Sequence, residues 1–296
     1  MTARIVFIGC VDFSRRLLLA SFDAGANIVG VVSRESAPGN SDFVCLDQVA
    51  AARKVPVHLT KNANAPTTIQ WIKDRSPDVI FCFGWSQLLK AELLEASSMG
   101  VIGYHPALLP QNRGRHPIIW ALTLGLSETG SSFFVMDQGA DSGDIVSQRP
   151  VEIDEQDDSR ALYERLARTA SEQLEEIVSR INSGTLVGTP QEHEKANSWR
   201  KRNAVDGQID WRMPAKGIVN LVRALRPPYP GATIHYDGEA RRIWLARPFE
   251  GSVPENAEPG RVLAVTGREL LVKAGSGAVR VLEHELDFIP DVGDYL

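Results

Sequence analysis

The first half of the chain alternates short runs of β-branched residues with amphipathic stretches of helical spacing. Four such runs are ARIVFIG, NIVGVVS, PDVIFCFG and GVIGYH, and helical segments follow the first three. Parallel strands need crossover connections, usually helices, so this alternation predicts a mostly parallel sheet. A further helix is predicted from Pro117 to Leu124, and SSFFVMD and DIVSQRPVEI predict two more strands. We therefore expect residues 1–190 to form an α/β domain with a Rossmann-like sheet.

A long helix ends this first domain and a polar connection follows it. Apolar residues recur at helical spacing between Ser159 and Ile181, and the periodicity is lost after Gly184, so residues 191–205 are assigned to a linker. Beyond a short helix, ATIHYDG, RRIWLARPF, GRVLAVTG, ELLVKAG and AVRVLEHEL predict closely spaced strands. Several short strands in a small domain favour a barrel, so residues 206–296 are expected to form a β-rich, OB-like domain.

Composition and charge disfavour several classes of function. Of the 296 residues 43% are hydrophobic, and no apolar run approaches the ~20 residues that cross a bilayer. Cys10, Cys45 and Cys82 are widely spaced and fit neither a zinc site nor a disulfide framework, so we expect a cytoplasmic protein without a metal. The net charge is -5, and residues 197–296 hold 14 Lys or Arg against 13 Asp or Glu. A nucleic-acid partner is therefore disfavoured.

The block from Val101 to Val146 carries the candidate catalytic residues. His105 ends a predicted strand, and Asp141 lies in an acidic GADSGD loop. Ligands of parallel α/β sheets bind beyond the carboxyl ends of the strands, which is where His105 is expected. Histidine can move a proton near neutral pH, and a neighbouring carboxylate orients the ring and favours its charged form. We predict that His105 and Asp141 are a catalytic pair; the alternative is that one caps a strand and the other shapes a turn.

Two other features of the sequence bear on the ligand. Gly9 follows the first strand, but the next residues lack the second and third glycines of GxGxxG, so a dehydrogenase is not expected. Arg113 and Arg115 flank Gly114 beside the predicted catalytic pair, and guanidinium forks suit a diphosphate. The alternative for both arginines is a solvated loop position.

The same block resembles the folate-dependent formyltransferases, which include methionyl-tRNA, glycinamide ribonucleotide and sugar-nucleotide formyltransferases. Where that family has Asn-x-His, a Leu-Leu-Pro loop with Arg-Gly, and an Asp turn, this chain has Gly103-Tyr104-His105, Leu108-Leu109-Pro110 with Arg113-Gly114, and Asp141-Ser142-Gly143. The separation of 36 positions from His105 to Asp141 agrees as well. The resemblance implies an enzyme in which a substrate amine attacks the formyl carbon of 10-formyltetrahydrofolate, with neither metal nor nicotinamide.

The resemblance also implies where the ligands bind. Two loops would hold the pterin ring of the folate, and the matching residues are Trp85, Ser86, Gln87, Leu88, Leu89, Gln138, Gly139 and Ala140. The alternatives are helix core for the two leucines and a packed aromatic for the tryptophan. The acceptor side would be formed by the first loop together with residues near the catalytic histidine, namely Val11, Asp12, Phe13, Tyr104, Arg113 and Arg115.

One residue departs from the family pattern. Gly103 stands where the family has a catalytic Asn, and losing such a hydrogen-bond donor typically lowers the rate by about 10²–10³-fold. Tyr104 is expected to face away from His105, because alternate strand residues point to opposite sides. Gln87, Asn112, a main-chain N–H or a water molecule could fill the space that a glycine leaves. The alternative is a non-catalytic folate- or nucleotide-binding paralogue.

The acceptor is the least determined part of the reaction. DGQIDW, PYPGA and RGRHPIIWAL resemble the sugar branch of the family more than the tRNA branch. We therefore expect a nucleotide-linked 4-amino-4,6-dideoxy sugar or similar aminosugar, as in lipopolysaccharide O-antigen biosynthesis, and a possible homodimer. Methionyl-tRNA is the leading alternative acceptor, and a small amine such as a hydroxylated ornithine is another.

Overall fold

The structure is a computed structural model that describes residues 2–39 and 41–296. The chain divides into two compact units. The first comprises the residues up to Pro117 together with Thr129–Glu152 and Glu164–Trp199, and the second comprises Ile118–Glu128, Ile153–Tyr163 and Arg200–Leu296. The last crossing from the first unit to the second follows Trp199, which lies inside the predicted linker. The prediction assigned all of residues 1–190 to the first domain, and so it did not include Ile118–Glu128 and Ile153–Tyr163 in the second.

A seven-stranded sheet organises the first unit, as the alternating pattern predicted. Its order is β3-β2-β1-β4-β5-β7-β8; β1 to β5 run parallel and β7 is antiparallel to β5. A separate pair, β6 and β9, joins two loops of this unit. The strands are β1 Arg4–Ile8, β2 Asn27–Ser33, β3 Val57–Leu59, β4 Val79–Cys82, β5 Val101–His105, β6 Arg113–Gly114, β7 Glu128–Val135, β8 Ile145–Glu152 and β9 Ser198–Trp199.

Helices connect the parallel strands, and the long helix that the periodicity predicted is present. Its apolar residues, including Leu166, Leu174 and Ile177, are buried. The helices are α1 Asp12–Asp23, α2 Asp47–Ala52, α3 Pro66–Lys73, α4 Ala91–Leu94, α5 Pro117–Thr123 and α6 Ser159–Asn182. Among the described residues, no helix combines the length and the apolar character needed to span a membrane.

Hydrogen bonds of Ser14 hold two strand ends together at the carboxyl edge of the sheet. The hydroxyl of Ser14 in α1 accepts hydrogen bonds from the N–H groups of Cys10 and Val11, each at 3.2 Å, and donates to the Phe83 carbonyl at 2.6 Å. This ties the turn after β1 to the end of β4. A Cβ at Gly9 would lie 2.5 Å from the Cβ of Ser14, so only glycine permits this approach.

Aromatic rings pack behind the same edge. Phe83 meets Phe7 and Phe133 edge to face, with ring centroids 5.4 and 5.3 Å apart. Tyr104 lies against Phe133 at 5.0 Å and against Phe13 of α1 at 4.5 Å. Such pairs add about 0.5–1.5 kcal/mol each to the stabilisation from burial. The strand ends that carry the candidate site therefore rest on a close-packed core.

The second unit contains a five-stranded antiparallel sheet in the order β10-β11-β14-β13-β12. This agrees with the β-rich second domain expected from the sequence, and five strands is the number that an OB-like fold uses. Its elements are α7 Ala215–Ala224, β10 Ala232–Tyr236, β11 Glu239–Pro248, β12 Val262–Thr266, β13 Glu269–Lys273 and β14 Ala278–His284.

Candidate active site

His105 is the last residue of β5, at the carboxyl edge of the sheet, and only 4% of it is exposed. Its Nε2 atom lies 2.7 Å from the carbonyl oxygen of Asn112. A carbonyl only accepts hydrogen bonds, so Nε2 carries a proton. The other ring nitrogen, Nδ1, faces Oδ2 of Asp141 at 3.5 Å. The structure thus brings together the two residues that the sequence predicted as a pair.

Asp141 is held in place by the loop that contains Gly114. Its Oδ2 atom accepts a hydrogen bond from the Gly114 N–H at 2.8 Å, and its side chain is 20% exposed. Its backbone is left-handed, with φ +55°, a conformation that costs free energy in a residue other than glycine. The surrounding contacts must therefore stabilise the turn that aims the carboxylate at His105.

Two glycines allow the site's loops to approach each other. A Cβ at Gly143 would lie 1.7 Å from the Val135 carbonyl oxygen. At Gly114, where φ is +101°, a Cβ would lie 2.3 Å from the Trp199 carbonyl oxygen. The Gly114 contact arises because β6 pairs with β9, whose residues lie 85 positions later in the chain. Any side chain at either glycine would displace the loops that hold Asp141.

The space beside Gly103 is filled by protein, which corrects the expectation that a donor or a water molecule could occupy it. A Cβ at Gly103 would lie 2.7 Å from Cγ of Met136 and 3.1 Å from the Phe134 ring. The Gln87 amide is also engaged: its Oε1 accepts from Trp85 Nε1 at 3.2 Å, and its Nε2 donates to a carbonyl at 3.2 Å. Asn112 and a main-chain N–H stay predictions as replacement donors, from positions outside this filled space.

The first predicted pterin loop contains both core and exposed residues. Trp85 is 8% exposed and packs under the Arg34 guanidinium, which lies 4.5 Å from its ring centroid. Leu89 is buried, whereas Leu88 is 63% exposed. Ser86 is exposed, and its carbonyl accepts from Nη1 of Arg115 at 3.2 Å. Trp85 thus matches the alternative of a packed aromatic, whereas Leu89 is buried outside a helix, because α4 begins at Ala91.

The second predicted pterin loop is exposed from Asp137 to Ala140. Oδ1 of Asp137 accepts from the Gly139 N–H at 2.9 Å and from the Ser142 hydroxyl at 2.6 Å. The turn is therefore ordered by its own side chains, which leaves the main chain of Gln138 and Ala140 at the surface beside Asp141. Binding of a ring by such main-chain groups stays a prediction.

One predicted acceptor contact needs correction, and a second packs largely against aromatic rings. Arg113 is 9% exposed, and its Nη2 atom is bound to Oε1 of Gln191 at 2.6 Å and to Nδ1 of His193 at 3.1 Å. It braces the loop instead of presenting its guanidinium to a diphosphate. The Tyr104 side chain packs on the opposite face of β5 from His105, and burial raises the pKa of its phenol. Tyr104 is half-buried, and it stays a prediction as an acceptor contact.

The remaining predicted acceptor residues lie near the turn after β1 or on the outer loop. Phe13 is 8% exposed and belongs to the aromatic core. Asp12 binds Arg15 and Arg16 through its carboxylate, at 2.6 and 2.7 Å, and these contacts lower its pKa against the effect of burial. Val11 is half-buried and Arg115 is exposed. These four residues stay predictions as acceptor contacts.

Sequence reasoning missed the segment that completes the site. Residues 191–199 were assigned to a linker, yet they pair with the 112–115 loop through main-chain hydrogen bonds from Arg113 to Asn197 and from Arg115 to Trp199, at 3.1 and 3.0 Å. Gln191 also contacts the Asp141 turn. A two-residue strand has no periodicity, and its partner lies far away in the sequence, so no local signal identifies it.

The arrangement suits proton transfer at a buried imidazole. A proton arriving at Nδ1 would give an imidazolium between the Asp141 carboxylate and the Asn112 carbonyl, and both would stabilise its charge. Within residues 2–39 and 41–296, no group of three or more His, Cys, Asp or Glu side chains could hold a metal ion.

Comparisons with known proteins identify the family. The formyl transferase family model matches residues 3–178, and the model of the formyl transferase C-terminal domain matches residues 202–287. A methionyl-tRNA formyltransferase of Caldanaerobacter subterraneus subsp. tengcongensis is 35% identical over 285 residues, which cover 95% of this chain and 91% of the relative.

Solved structures share the fold at lower identity. An N-formyltransferase from Helicobacter canadensis, in complex with folinic acid and dTDP-3-aminofucose, is 15% identical with a TM-score of 0.73, over 95% of this chain and 99% of that one. HypX from Aquifex aeolicus is 18% identical with a TM-score of 0.69, and the match spans 95% of this chain but only 44% of HypX. The chain belongs to the folate-dependent formyltransferase family and is an enzyme that takes its formyl group from 10-formyltetrahydrofolate.

Proposed function

We propose that the enzyme formylates the amine of a nucleotide-linked aminodeoxy sugar and that His105 and Asp141 are its catalytic pair. The observation that supports the catalytic pair is the fixed geometry of the imidazole, with Nε2 hydrogen-bonded to Asn112 and Nδ1 directed at Asp141. The observation that supports a small acceptor is the pairing of charges in the second unit.

The folate supplies a formyl carbon that an unprotonated amine can attack. His105 Nδ1 would take up the proton that the amine loses, and the imidazolium would stabilise the negative charge that develops on the formyl oxygen. The tetrahedral intermediate would then collapse with breakage of the bond between the formyl carbon and N10, and tetrahydrofolate would leave with the proton that the imidazolium returns to N10. Asp141 would hold the ring in place and stabilise its charged form. The exposed Leu88 side chain and the exposed main chain of residues 137–140 offer an apolar surface and polar groups, which fit a pterin ring.

The basic side chains of the second unit are mostly neutralised by carboxylates of the same unit. At least eight of the 14 Lys and Arg residues in positions 197–296 lie no farther than 3.7 Å from a carboxylate oxygen: Arg200, Arg212, Lys216, Arg226, Arg241, Arg242, Arg261 and Arg280. An RNA acceptor is attracted by unpaired cations, and its binding releases counterions. Paired charges therefore favour a small acceptor.

Methionyl-tRNA is the second candidate, because the tRNA formyltransferase relative is similar over 95% of the chain, including the second unit. The cytoplasmic location, the homodimer and a role in lipopolysaccharide synthesis stay predictions. Light scattering at micromolar concentration would test the dimer.

The test is formyl transfer to a panel of acceptors. The protein is incubated with 10-formyltetrahydrofolate and either nucleotide-linked aminosugars or formyl-acceptor tRNA, and products are weighed by mass spectrometry. We expect one formyl group on an aminosugar, with a rate that falls about 10²–10⁴-fold in His105→Ala. Transfer to tRNA alone would replace the proposed acceptor, and no transfer to either would overturn the aminosugar proposal.

A further inference from the structure

Gln191 is a buried polar side chain in an otherwise exposed segment. It is 6% exposed, whereas Thr189, Pro190 and the residues from Glu192 to Lys195 are exposed. Burying an amide without hydrogen-bond partners costs about 1–3 kcal/mol on protein scales, so its contacts reveal what holds it there. A single glutamine in an irregular segment belongs to no strand or helix periodicity, so sequence reasoning did not select it.

The Gln191 amide joins two loops of the candidate site. Its Nε2 atom donates to the main-chain carbonyls of Asp141 at 3.0 Å and Gly143 at 2.6 Å. Its Oε1 atom accepts from Nη2 and Nε of Arg113, at 2.6 and 3.2 Å. Both donor hydrogens and the acceptor oxygen are therefore engaged, and each end of the amide holds a different loop.

Those two loops carry the groups that set the catalytic geometry. The Arg113 loop supplies the Asn112 carbonyl that fixes His105 Nε2 and the Gly114 N–H that binds Asp141 Oδ2. The other loop presents Asp141 from a left-handed backbone, which its neighbours must stabilise. The separation between His105 Nδ1 and Asp141 Oδ2 thus depends on how the two loops are held together.

We propose that Gln191 is a positioning residue: it holds the Asp141 turn against the Arg113 loop and so sets the carboxylate relative to His105. The inference rests on the proposed catalytic role of the His105–Asp141 pair. A misplacement of about 1 Å in a reacting group can lower a rate by about 10²-fold, so a residue that touches no substrate can still control kcat.

The chain offers a matched control in Gln173. This glutamine of α6 is fully buried, and its Nε2 bridges the Ser131 carbonyl at 3.2 Å and the Ser147 hydroxyl at 2.8 Å. Gln173→Ala removes the same buried amide without touching the Asp141 turn. Gln191→Glu is the second variant: it keeps an acceptor for Arg113 but replaces the two N–H donors with oxygen, which repels the two carbonyls.

The first measurement is hydrogen exchange of the Gly114 amide by NMR, which needs no acceptor. That N–H donates to Asp141, so its protection reports whether the carboxylate is in place. We expect its exchange to accelerate at least about tenfold in Gln191→Ala and Gln191→Glu and to stay unchanged in Gln173→Ala. Unchanged protection of Gly114 in both Gln191 variants would overturn the proposal whatever the activity.

The second measurement is a double-mutant cycle with Asp141→Ala, in which formyl transfer from 10-formyltetrahydrofolate to a nucleotide-linked aminosugar is followed at steady state. We expect Gln191→Ala to lower kcat by about 10–100-fold with little change in KM, and to have no further effect once Asp141 is absent. Equal losses in both backgrounds would show that Gln191 does not act through Asp141. If Asp141→Ala itself left the rate unchanged, the proposed catalytic pair would fail instead, and the exchange result would still stand for the geometry.

Discussion

The two compact units use their polar groups in opposite ways. At the carboxyl edge of the first unit, the buried His105 binds the Asn112 carbonyl and the half-buried Asp141 binds the Gly114 N–H. In the second unit, exposed side chains bind each other, as in the pairs of Arg212 with Asp210 and of Arg242 with Glu285. The first arrangement fixes a geometry, whereas the second neutralises a surface. Substitutions should therefore be costly for the rate in one unit and mild in the other.

The largest effect is expected at Gly143. In Gly143→Ala the added Cβ would lie 1.7 Å from the Val135 carbonyl oxygen, so the Asp141 turn must move. We expect a loss of about 10²-fold or more in kcat and about 1–3 kcal/mol in the free energy of unfolding. Steady-state formyl transfer and urea unfolding measure both quantities.

The control for this substitution is Gly207→Ala in the second unit. There the nearest atom to an added Cβ is Cδ1 of Leu225 at 3.4 Å, an ordinary van der Waals contact. Rate and stability should both stay close to those of the unmodified enzyme. Equal losses in the two alanine variants would remove the distinction between the units.

A smaller effect is expected from restoring the family residue at Gly103. In Gly103→Asn the Cβ of the new side chain would lie 2.7 Å from Cγ of Met136. Because this is a steric clash, the substitution should destabilise the first unit by about 1–3 kcal/mol and should not raise kcat. Combining it with Met136→Ala opens the space and should recover most of the lost stability. If the single Gly103→Asn variant folded normally and reacted faster, the Met136 side chain would be able to move aside at little cost. The asparagine hydrogen-bond donor would then be the one group that the site lacks.

The sequence predicted where the strands end and that His105 and Asp141 lie together. His105 ends a run with strand alternation, and Asp141 belongs to a recognisable sequence motif. It did not predict β3, which has only three residues, or the β6–β9 pair, which has two in each strand. Strands this short have no measurable alternation, and tertiary contacts decide whether they form.

Side-chain environments at the site were harder to predict than the elements that carry them. Arg113 was expected to face a diphosphate because arginine often does, but burial against Gln191 and His193 determines its role here. The space beside Gly103 was expected to be open because glycine lacks a side chain, yet Met136 comes from a neighbouring strand end to fill it. Both outcomes depend on residues distant in sequence, which local reasoning cannot supply.

The smallest effect is expected at a paired charge of the second unit. Hydrogen bonds from Arg200, and then from the Asn203 N–H at 2.7 Å, hold the pKa of the Asp206 carboxyl well below its usual range. A lowered folded-state pKa stabilises the fold above the unfolded-state value of about 3.9, and this contribution is lost as the pH falls through the folded-state pKa. Because the Arg200 side chain is 60% exposed, solvent screening limits the contribution to about 1 kcal/mol.

Asp206→Asn should therefore lower the free energy of unfolding by about 1 kcal/mol at pH 7 and leave formyl transfer to an aminosugar unchanged. The difference from the unmodified enzyme should narrow as the pH is lowered below about 4, where the unfolded chain takes up its proton. Urea unfolding at several pH values measures the difference. Asp210→Asn is the comparison. Its partner Arg212 is 83% exposed, so loss of this ion pair should lower the free energy of unfolding by less than loss of the Asp206 pair. If Asp206→Asn instead reduced the rate more than the stability, the second unit's charges would serve the acceptor and not only the surface, and the contrast between the units would have to be redrawn.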